Sequence, residues 1–364
     1  MSDGKAKSDN GTGERQIIWR TAAEIRDRRA EWAWTYAGGG RLMRDTEVLL
    51  AGRPGTGKST AARWFAGGYT RGTIEGCFYG QPQNVAYIAT EESLEVMVKP
   101  SLRAVGADMN RMLFPEVHVD GYQVRLLSNV DEKALTADFL ARGVTVVIVD
   151  PVMSSIGSTV DINRNNETRA YLEPWARMAE AINGLVIGIV HLVKVPGGDI
   201  VAAINGSSAF GEVARAVIAF AIDPQAGDGQ GVLSQEKNNA GRNDLALTYA
   251  IESALVTTDA DLIPAEVGRF VIGGPSDRRV GDVIHAHHTT DRLGQRSFDV
   301  LDAVHQGPGP VEIATVAKRT GMPNNDAGRY LARLAENGLL IKVGRGVYEW
   351  PGRLRTQLAG VGSV

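Results

Sequence analysis

The stretch Gly52-Arg53-Pro54-Gly55-Thr56-Gly57-Lys58-Ser59 fills every position of the pattern G-x-x-x-x-G-K-[ST]. Its flanks fit the pattern too. The apolar run Glu47-Val48-Leu49-Leu50-Ala51 before it reads as a buried strand, and Ser59-Thr60-Ala61-Ala62-Arg63 after it opens a helical segment. Glycines let the backbone curl so that successive N–H groups face phosphate oxygens, and a helix starting near Lys58 adds the positive end of its dipole. Lys58 is then expected at the β- and γ-phosphates and Ser59 on Mg2+. The candidate nucleotide contacts are Gly52, Arg53, Pro54, Gly55, Thr56, Gly57, Lys58, Ser59 and Thr60.

Outward from this loop, strand-like runs alternate with helical segments. Val48–Ala51, Val85–Thr90, Val144–Val149, Leu185–Val190 and Val217–Ile222 are rich in β-branched residues, and most are spaced widely enough for a crossover helix. Ala246–Ile251 and Arg269–Ile272 read as further strands finishing the sheet. The fold class expected is α/β, a mainly parallel sheet around the phosphate loop.

Several of these strands end in chemistry-bearing residues. Val146-Val147-Ile148-Val149-Asp150 delivers one carboxylate to a sheet edge, which suits a contact to Mg2+ from outside its direct ligands. Pro151 follows, so no acid beside Asp150 can serve as a base. Val85–Thr90 instead ends in Glu91-Glu92, where a carboxylate is either a general base for an attacking water or simply a solvated strand end. His191 follows the run Leu185–Val190, as a structural histidine or a sensor of the γ-phosphate. Arg215, Lys237 and Arg242 follow the last core strands, and either solvate a face or reach the phosphates of a neighbouring subunit.

Composition bounds the rest. A chain of 364 residues suggests about two domains, and 43% hydrophobic residues suffice for a substantial core. The lone Cys77 excludes an internal disulfide framework or a thiolate-built zinc site, so the chain reads as intracellular and cytoplasmic. No apolar run reaches the roughly 20 residues needed to span a bilayer, so no membrane partner is expected. Residues 1–16 lack an apolar secretory core and read as a disordered arm. The net charge is −3, but from Arg296 onward nine basic residues outnumber six acidic ones, a mildly basic module on an acidic body.

The stretch from Trp19 to Ala37 reads as a polar helix with Thr21 and Glu24 at capping-box spacing, ended by Gly38, Gly39 and Gly40. Residues 17–275 form the larger domain. Residues 276–295 lose periodicity and read as a linker, and 351–364 as a flexible tail. Between them, 296–350 carries helix Phe298–His305, a GPGP break, helix Val311–Thr320, helix Pro323–Asn337, and two short strands around Gly344-Arg345-Gly346. Helix, helix-turn-helix and hairpin in that order is a winged helix. His285, His287 and His288 fall in the linker and read as solvated, since no thiolate lies near.

Taken in order, GRPGTGKST, YIATEES, VIVDPVMSSIG, HLVK, NGSSAFGEVARAVIAF and EKNNAGR resemble the RecA-like P-loop ATPases of phages, plasmids and integrated elements, a family similar to the hexameric plasmid replicative helicases. The resemblance spans residues 17–275. It implies ATP and Mg2+ as cofactors, Ser59 and Asp150 as metal ligands, Glu91 as the catalytic glutamate with Glu92 in support, and His191 as the sensor coupled to DNA-facing loops. It further implies Arg215 as an arginine finger across a subunit interface, with Lys237 and Arg242 sharing the nucleotide; Asn239 stands where helicases often carry the arginine of Lys-x-Arg.

In such rings the loops 153–169 and 195–205 would line a channel for single-stranded DNA, with Arg164, Arg169 and Lys194 as the available cations and solvated loop charge as the plainer alternative. The winged helix would place Asn324–Arg333 in a duplex groove or serve protein contacts. The expected protein is a Mg2+-dependent ATPase, a homo-hexamer or other ring, coupling hydrolysis to movement on DNA during replication of a mobile element. The rivals are an ATP-switched DNA-binding regulator or loader and a filament-forming recombination mediator.

Overall fold

The computed structural model describes residues 17–157, 160, 164–193, 199–204, 208–223, 226, 229–291 and 295–351. The arm expected over 1–16, the tail over 352–364, Lys194, and parts of the first (158, 159 and 161–163) and second (195–198 and 205) expected channel loops lie outside the described residues. The chain divides into two units, Met1–Ala30 and Glu31–Val364.

In the first unit the expected helix from Trp19 shrinks to one 3-10 turn, Ala22–Glu24, with the Thr21 N–H donating to Glu24 Oε2 at 2.9 Å. Residues 32–43 instead form an antiparallel hairpin of β1 (Trp32–Tyr36) and β2 (Gly39–Met43). Two features decide this against the helix. Trp32 to Tyr36 are mostly aromatic and β-branched, and Ala37 and Gly38 both take positive φ (50° and 74°), the backbone of a tight hairpin turn. Trp34 is buried edge-on against Phe65 at 5.2 Å between centroids.

The strand before the phosphate loop is β3 (Thr46–Gly52), buried along its whole length, and α1 (Lys58–Arg71) follows the loop. Then come β4 (Asn84–Ala89), α2 (Lys99–Ala104), β5 (Met112–Leu113), the small hairpin β6 (Val117–Val119) and β7 (Tyr122–Val124), α3 (Ser128–Ala141), β8 (Val144–Asp150), α4 (Asn165–Ala181), β9 (Leu185–His191), α5 (Ser208–Val213) and β10 (Ala216–Ile222). Three antiparallel strands complete the sheet: β11 (Gln230–Asn238), β12 (Ala246–Thr257) and β13 (Pro264–Pro275).

The nine-stranded sheet runs β13-β12-β11-β10-β3-β9-β8-β4-β5. Every pair from β10 to β5 is parallel, so the mainly parallel α/β core expected from the sequence is the observed one. Helices cover both faces. Side chains of α1 and α2 pack on one, with Val48 and Leu50 of β3; those of α3, α4 and α5 pack on the other, with Leu49 and Ala51. Burial on both faces explains why these strands are near-continuous apolar runs.

Two sequence expectations are corrected. Strand β11 falls on residues for which the sequence reading assigned no strand. Ser234 and Gln235 interrupt its apolar pattern, yet both are buried, Ser234 Oγ accepting from the Val280 N–H at 2.8 Å and Gln235 Nε2 donating to the Arg41 carbonyl at 2.7 Å. The expected aperiodic linker over 276–295 contains a helix, α6 (Val280–Asp291), whose Val280 and Val283 are buried in the same core as α3 to α5. Val280, Val283 and Ile284 keep the i, i+3, i+4 spacing of a packed helix among Gly, Pro, Ser and His that mask it.

The C-terminal module has its own core, built on Val300, Val304, Val316, Ala327, Leu331 and Tyr348. Its elements are α7 (Gln295–His305), β14 (Val311–Glu312), α8 (Ile313–Thr320), α9 (Asn324–Glu336), β15 (Ile341–Gly344) and β16 (Val347–Glu349), the three strands pairing in the order β14-β16-β15. Gly321, in the left-handed conformation at φ 67°, ends α8 and opens the turn into α9. This is the expected winged helix.

Candidate functional site

The loop between β3 and α1 is shaped by two glycines that no other residue replaces. A Cβ on Gly52 would lie 2.6 Å from Thr56 Oγ1 and 2.8 Å from the Phe220 carbonyl. Gly57 takes φ 81°, and a Cβ there would lie 2.8 Å from Ile251 Cδ1. The curl is pinned from inside by Thr56 Oγ1 donating to the Arg53 carbonyl at 2.8 Å, and from β12 by the buried Tyr249 hydroxyl donating to the Thr56 carbonyl at 2.6 Å. Sequence reading missed Tyr249, whose only signal is a hydroxyl-bearing aromatic inside a strand.

The loop fits a polyphosphate. Helix geometry leaves the first N–H groups of α1 without intrahelical partners, and its first turn carries no acidic residue to compete for them. Lys58 is buried, and its Nζ donates to the Arg53 carbonyl at 2.8 Å, closing over the loop. Burial lowers its ammonium from 10.5 to about 8, with the negative charges of Asp150 and Glu91 opposing the fall.

Opposite, at the end of β8, Asp150 is held at both oxygens. Ser59 Oγ donates to Oδ1 at 3.1 Å and the Tyr87 hydroxyl donates to Oδ2 at 2.7 Å. An all-oxygen pair of one hydroxyl and one carboxylate beside a phosphate-shaped loop suits a hard cation such as Mg2+. Tyr87 is buried in β4 and its phenol is pushed well above the ordinary value, first by burial and then by the Asp150 charge, so it stays a hydrogen-bond donor. Tyr87 was also missed; a polar-tipped aromatic in the middle of Val85–Thr90 was its signal.

Glu91 lies exposed on the turn after β4, close enough for its charge to act on both Lys58 and His191. His191 ends β9 in register with Gly52. Burial holds its imidazole below the ordinary value and Lys58 adds to that, with Glu91 opposing, and its Nδ1 is buried without a hydrogen-bond partner among the described residues. A cleft of about 570 Å3 opens beside Glu91, lined by Thr90, Met153, Ser154 and, from the β6–β7 side, Gln123 and Arg125.

The fold therefore gathers Lys58, Ser59, Glu91, Asp150 and His191 at one edge of the sheet. Arg215, Lys237 and Arg242 are not among them. Phe220 is level with Gly52 in the parallel pair of β10 and β3, and Arg215 precedes Phe220 by five residues, roughly 16 Å of strand, with its N–H on the Glu47 carbonyl at 2.9 Å. Lys237 stands opposite Val217 at that same far end, its Nζ donating to the Gly211 carbonyl at 2.6 Å, and burial followed by the Arg215 charge lowers its ammonium. Arg242 is exposed beside Asp244, at 3.4 Å.

Two of the three expected channel cations, Arg164 and Arg169, are engaged with acids. Arg164 contacts Glu167 at 3.1 Å, and Arg169 contacts Glu173 at 3.0 Å and Glu212 at 3.1 Å. On the winged helix, Asn324, Asn325, Arg329 and Arg333 of α9 are exposed, as are Lys342 and Arg345 of the hairpin, and Arg329 is hydrogen-bonded to Asp326. Of the linker histidines, His285 sits on α6, while the side chains of His287 and His288 lie outside the described residues; no metal-binding cluster of His, Cys, Asp or Glu occurs among the described residues. Cys77 is half-buried, and burial raises its thiol, the reverse of an activated nucleophile. No helix among the described residues is long and apolar enough to cross a membrane.

Comparison with known proteins matches the AAA domain family to residues 18–197 and the IclR helix-turn-helix domain family to residues 295–344. No curated protein matches the chain. Among solved structures, the chain is similar to the ATPase domain of G40P at 13% identity and a TM-score of 0.44, covering 57% of this chain and 82% of that one. It is also similar to a DnaB-like replicative helicase studied with primase, at 13% identity and a TM-score of 0.43, covering 57% of this chain and 56% of that one.

Proposed function

We propose that this chain, an ATPase with a AAA domain and a C-terminal helix-turn-helix domain, hydrolyses Mg2+-bound ATP and couples the reaction to movement along DNA as a helicase-like ring. One observation carries the hydrolytic part of this reading: Ser59 Oγ and Asp150 Oδ1 meet at 3.1 Å beside the buried Lys58.

Ser59 and Asp150 would hold Mg2+, which when bound would offset the negative charge of the polyphosphate. The backbone of Gly55 to Ser59 would hold the phosphates, and Lys58 would trade its bond to the Arg53 carbonyl for a phosphate oxygen. Glu91 would accept a proton from the water that attacks the γ-phosphorus, and the leaving oxygen departs on ADP. His191 stands level with Gly52 where loss of the γ-phosphate would be felt first. Arg215 lies at the far end of β10, too distant to serve its own nucleotide, which suits a residue that completes a neighbour's site in a ring.

A second reading has a specific observation in its favour. Arg164 and Arg169 are paired with carboxylates, which leaves little free positive charge on the described part of the first channel loop. An ATP-switched DNA-binding protein, gripping duplex through the exposed α9 face and not translocating, fits that charge state.

Steady-state ATP hydrolysis with and without single-stranded DNA, with Glu91→Gln as control, separates the two. Strong stimulation that vanishes in the variant supports the motor. Slow hydrolysis indifferent to single strands, with duplex binding lost on Arg329→Ala and Arg333→Ala, supports the switch.

A further inference from the structure

A general base must be held within a fraction of an ångström of its water, yet Glu91 is exposed on the turn that leaves β4. The turn has light local support: the Thr90 N–H reaches the Asp150 carbonyl at 3.3 Å, and Ser93 Oγ accepts from the Val96 N–H at 3.2 Å. Its strongest tether comes from inside the protein. Arg63, on α1, directs one guanidinium nitrogen to the Glu92 carboxylate and another to Ser101 Oγ at 3.3 Å.

Arg63 is only 3% exposed. A guanidinium is buried at high cost unless its charge is paired, and Glu92 supplies that pairing. The placement also links the tether to the metal side of the site. Arg63 follows Ser59 by one helical turn on the same face of α1, and its charge acts on the Tyr87 phenol that grips Asp150.

We propose that Arg63 is a positioning residue for hydrolysis, its ion pair with Glu92 fixing the turn that presents Glu91. The proposal rests on Glu91 as the base. The two side chains would act through position, setting where Glu91 stands relative to the Ser59–Asp150 pair.

The test compares Glu92→Gln, Arg63→Lys and Glu91→Gln in the full-length protein, each checked for a wild-type circular dichroism spectrum. Affinity is read with a non-hydrolysable ATP analogue, and turnover with ATP. Glu92→Gln and Arg63→Lys are expected to bind the analogue within about twofold of wild type while kcat falls about ten- to a hundredfold. Guanidinium ion added to Arg63→Ala should restore part of the lost kcat.

Glu92 is partly exposed, so its variant decides the matter if the Arg63 variants fail to fold. Wild-type kcat in Glu92→Gln, with hydrolysis abolished in Glu91→Gln, overturns the positioning role alone. Parallel loss of analogue binding and kcat also overturns it, because a general disruption of the site predicts that pattern. Retained hydrolysis in Glu91→Gln overturns the base assignment, and the positioning role with it.

Discussion

Ser59 Oγ stands 3.1 Å from Asp150 Oδ1 although the two lie 91 positions apart in the chain. Strand β9 lies between β3, which leads through the phosphate loop to Ser59 at the start of α1, and β8, which ends in Asp150, so the contact reaches across a whole strand position. Removing either partner should abolish most Mg2+-dependent turnover. Ser59→Ala and Asp150→Asn are each expected to lower kcat at least about a hundredfold, and the double variant to be little worse than either single one, since both serve one ion. Hydrolysis measured against Mg2+ concentration reads this directly.

Lys58 links nucleotide binding to pH. Burial lowers its ammonium to about 8 in the free protein, and bound phosphate would favour the charged form. Binding of ATP above pH 8 should therefore take up a fraction of a proton, seen by calorimetry in two buffers of different ionisation enthalpy. Lys58→Arg, whose guanidinium does not titrate in this range, should show no uptake. The same shift sets a stability slope: the folded value lies below the unfolded one, so the unfolded chain binds the extra proton and stability from this group rises between pH 8 and 10.5.

Tyr87→Phe removes one hydroxyl and little volume. The expected cost in stability is about 1 kcal/mol, read from chemical denaturation, because the half-buried Asp150 Oδ2 loses its 2.7 Å donor. The freed carboxylate should hold Mg2+ less specifically, raising the Mg2+ concentration for half-maximal hydrolysis severalfold with ATP affinity little changed.

Arg215 offers a test of assembly. If it completes a neighbour's site, Arg215→Ala and Lys58→Ala are each inactive alone, but mixed in equal amounts they form some interfaces with both residues intact. About a quarter of wild-type hydrolysis should return on mixing and re-assembly. Two inactive variants that stay inactive together would place Arg215 outside the reaction.

Much of the fold was legible because parallel strands buried on both faces are near-continuous apolar runs, as Val48–Ala51 of β3, Val146–Val149 of β8 and Leu185–Val190 of β9 are. The misreadings share a cause. Ser234 and Gln235 sit at the centre of β11 as buried polar groups whose partners, Val280 and Arg41, are distant in sequence, so no local pattern marks the strand. The β1–β2 hairpin was hidden by the polar run before it, which imitates a helix, and α6 by a composition typical of loops.

The phosphate loop was determined by sequence alone. Its glycines, Lys58 and Ser59 act within a few residues of one another, and the conformation they need is local. That Ser59 and Asp150 touch directly, which tyrosines pin the loop and Asp150, and that Arg63 reaches Glu92 were decided only by tertiary structure. Parallel strands bring their carboxyl ends to one edge whatever their distance along the chain, so the partners at that edge are set by strand order and register. The same register carries Arg215 to the opposite end of the sheet, a separation that sequence spacing does not encode.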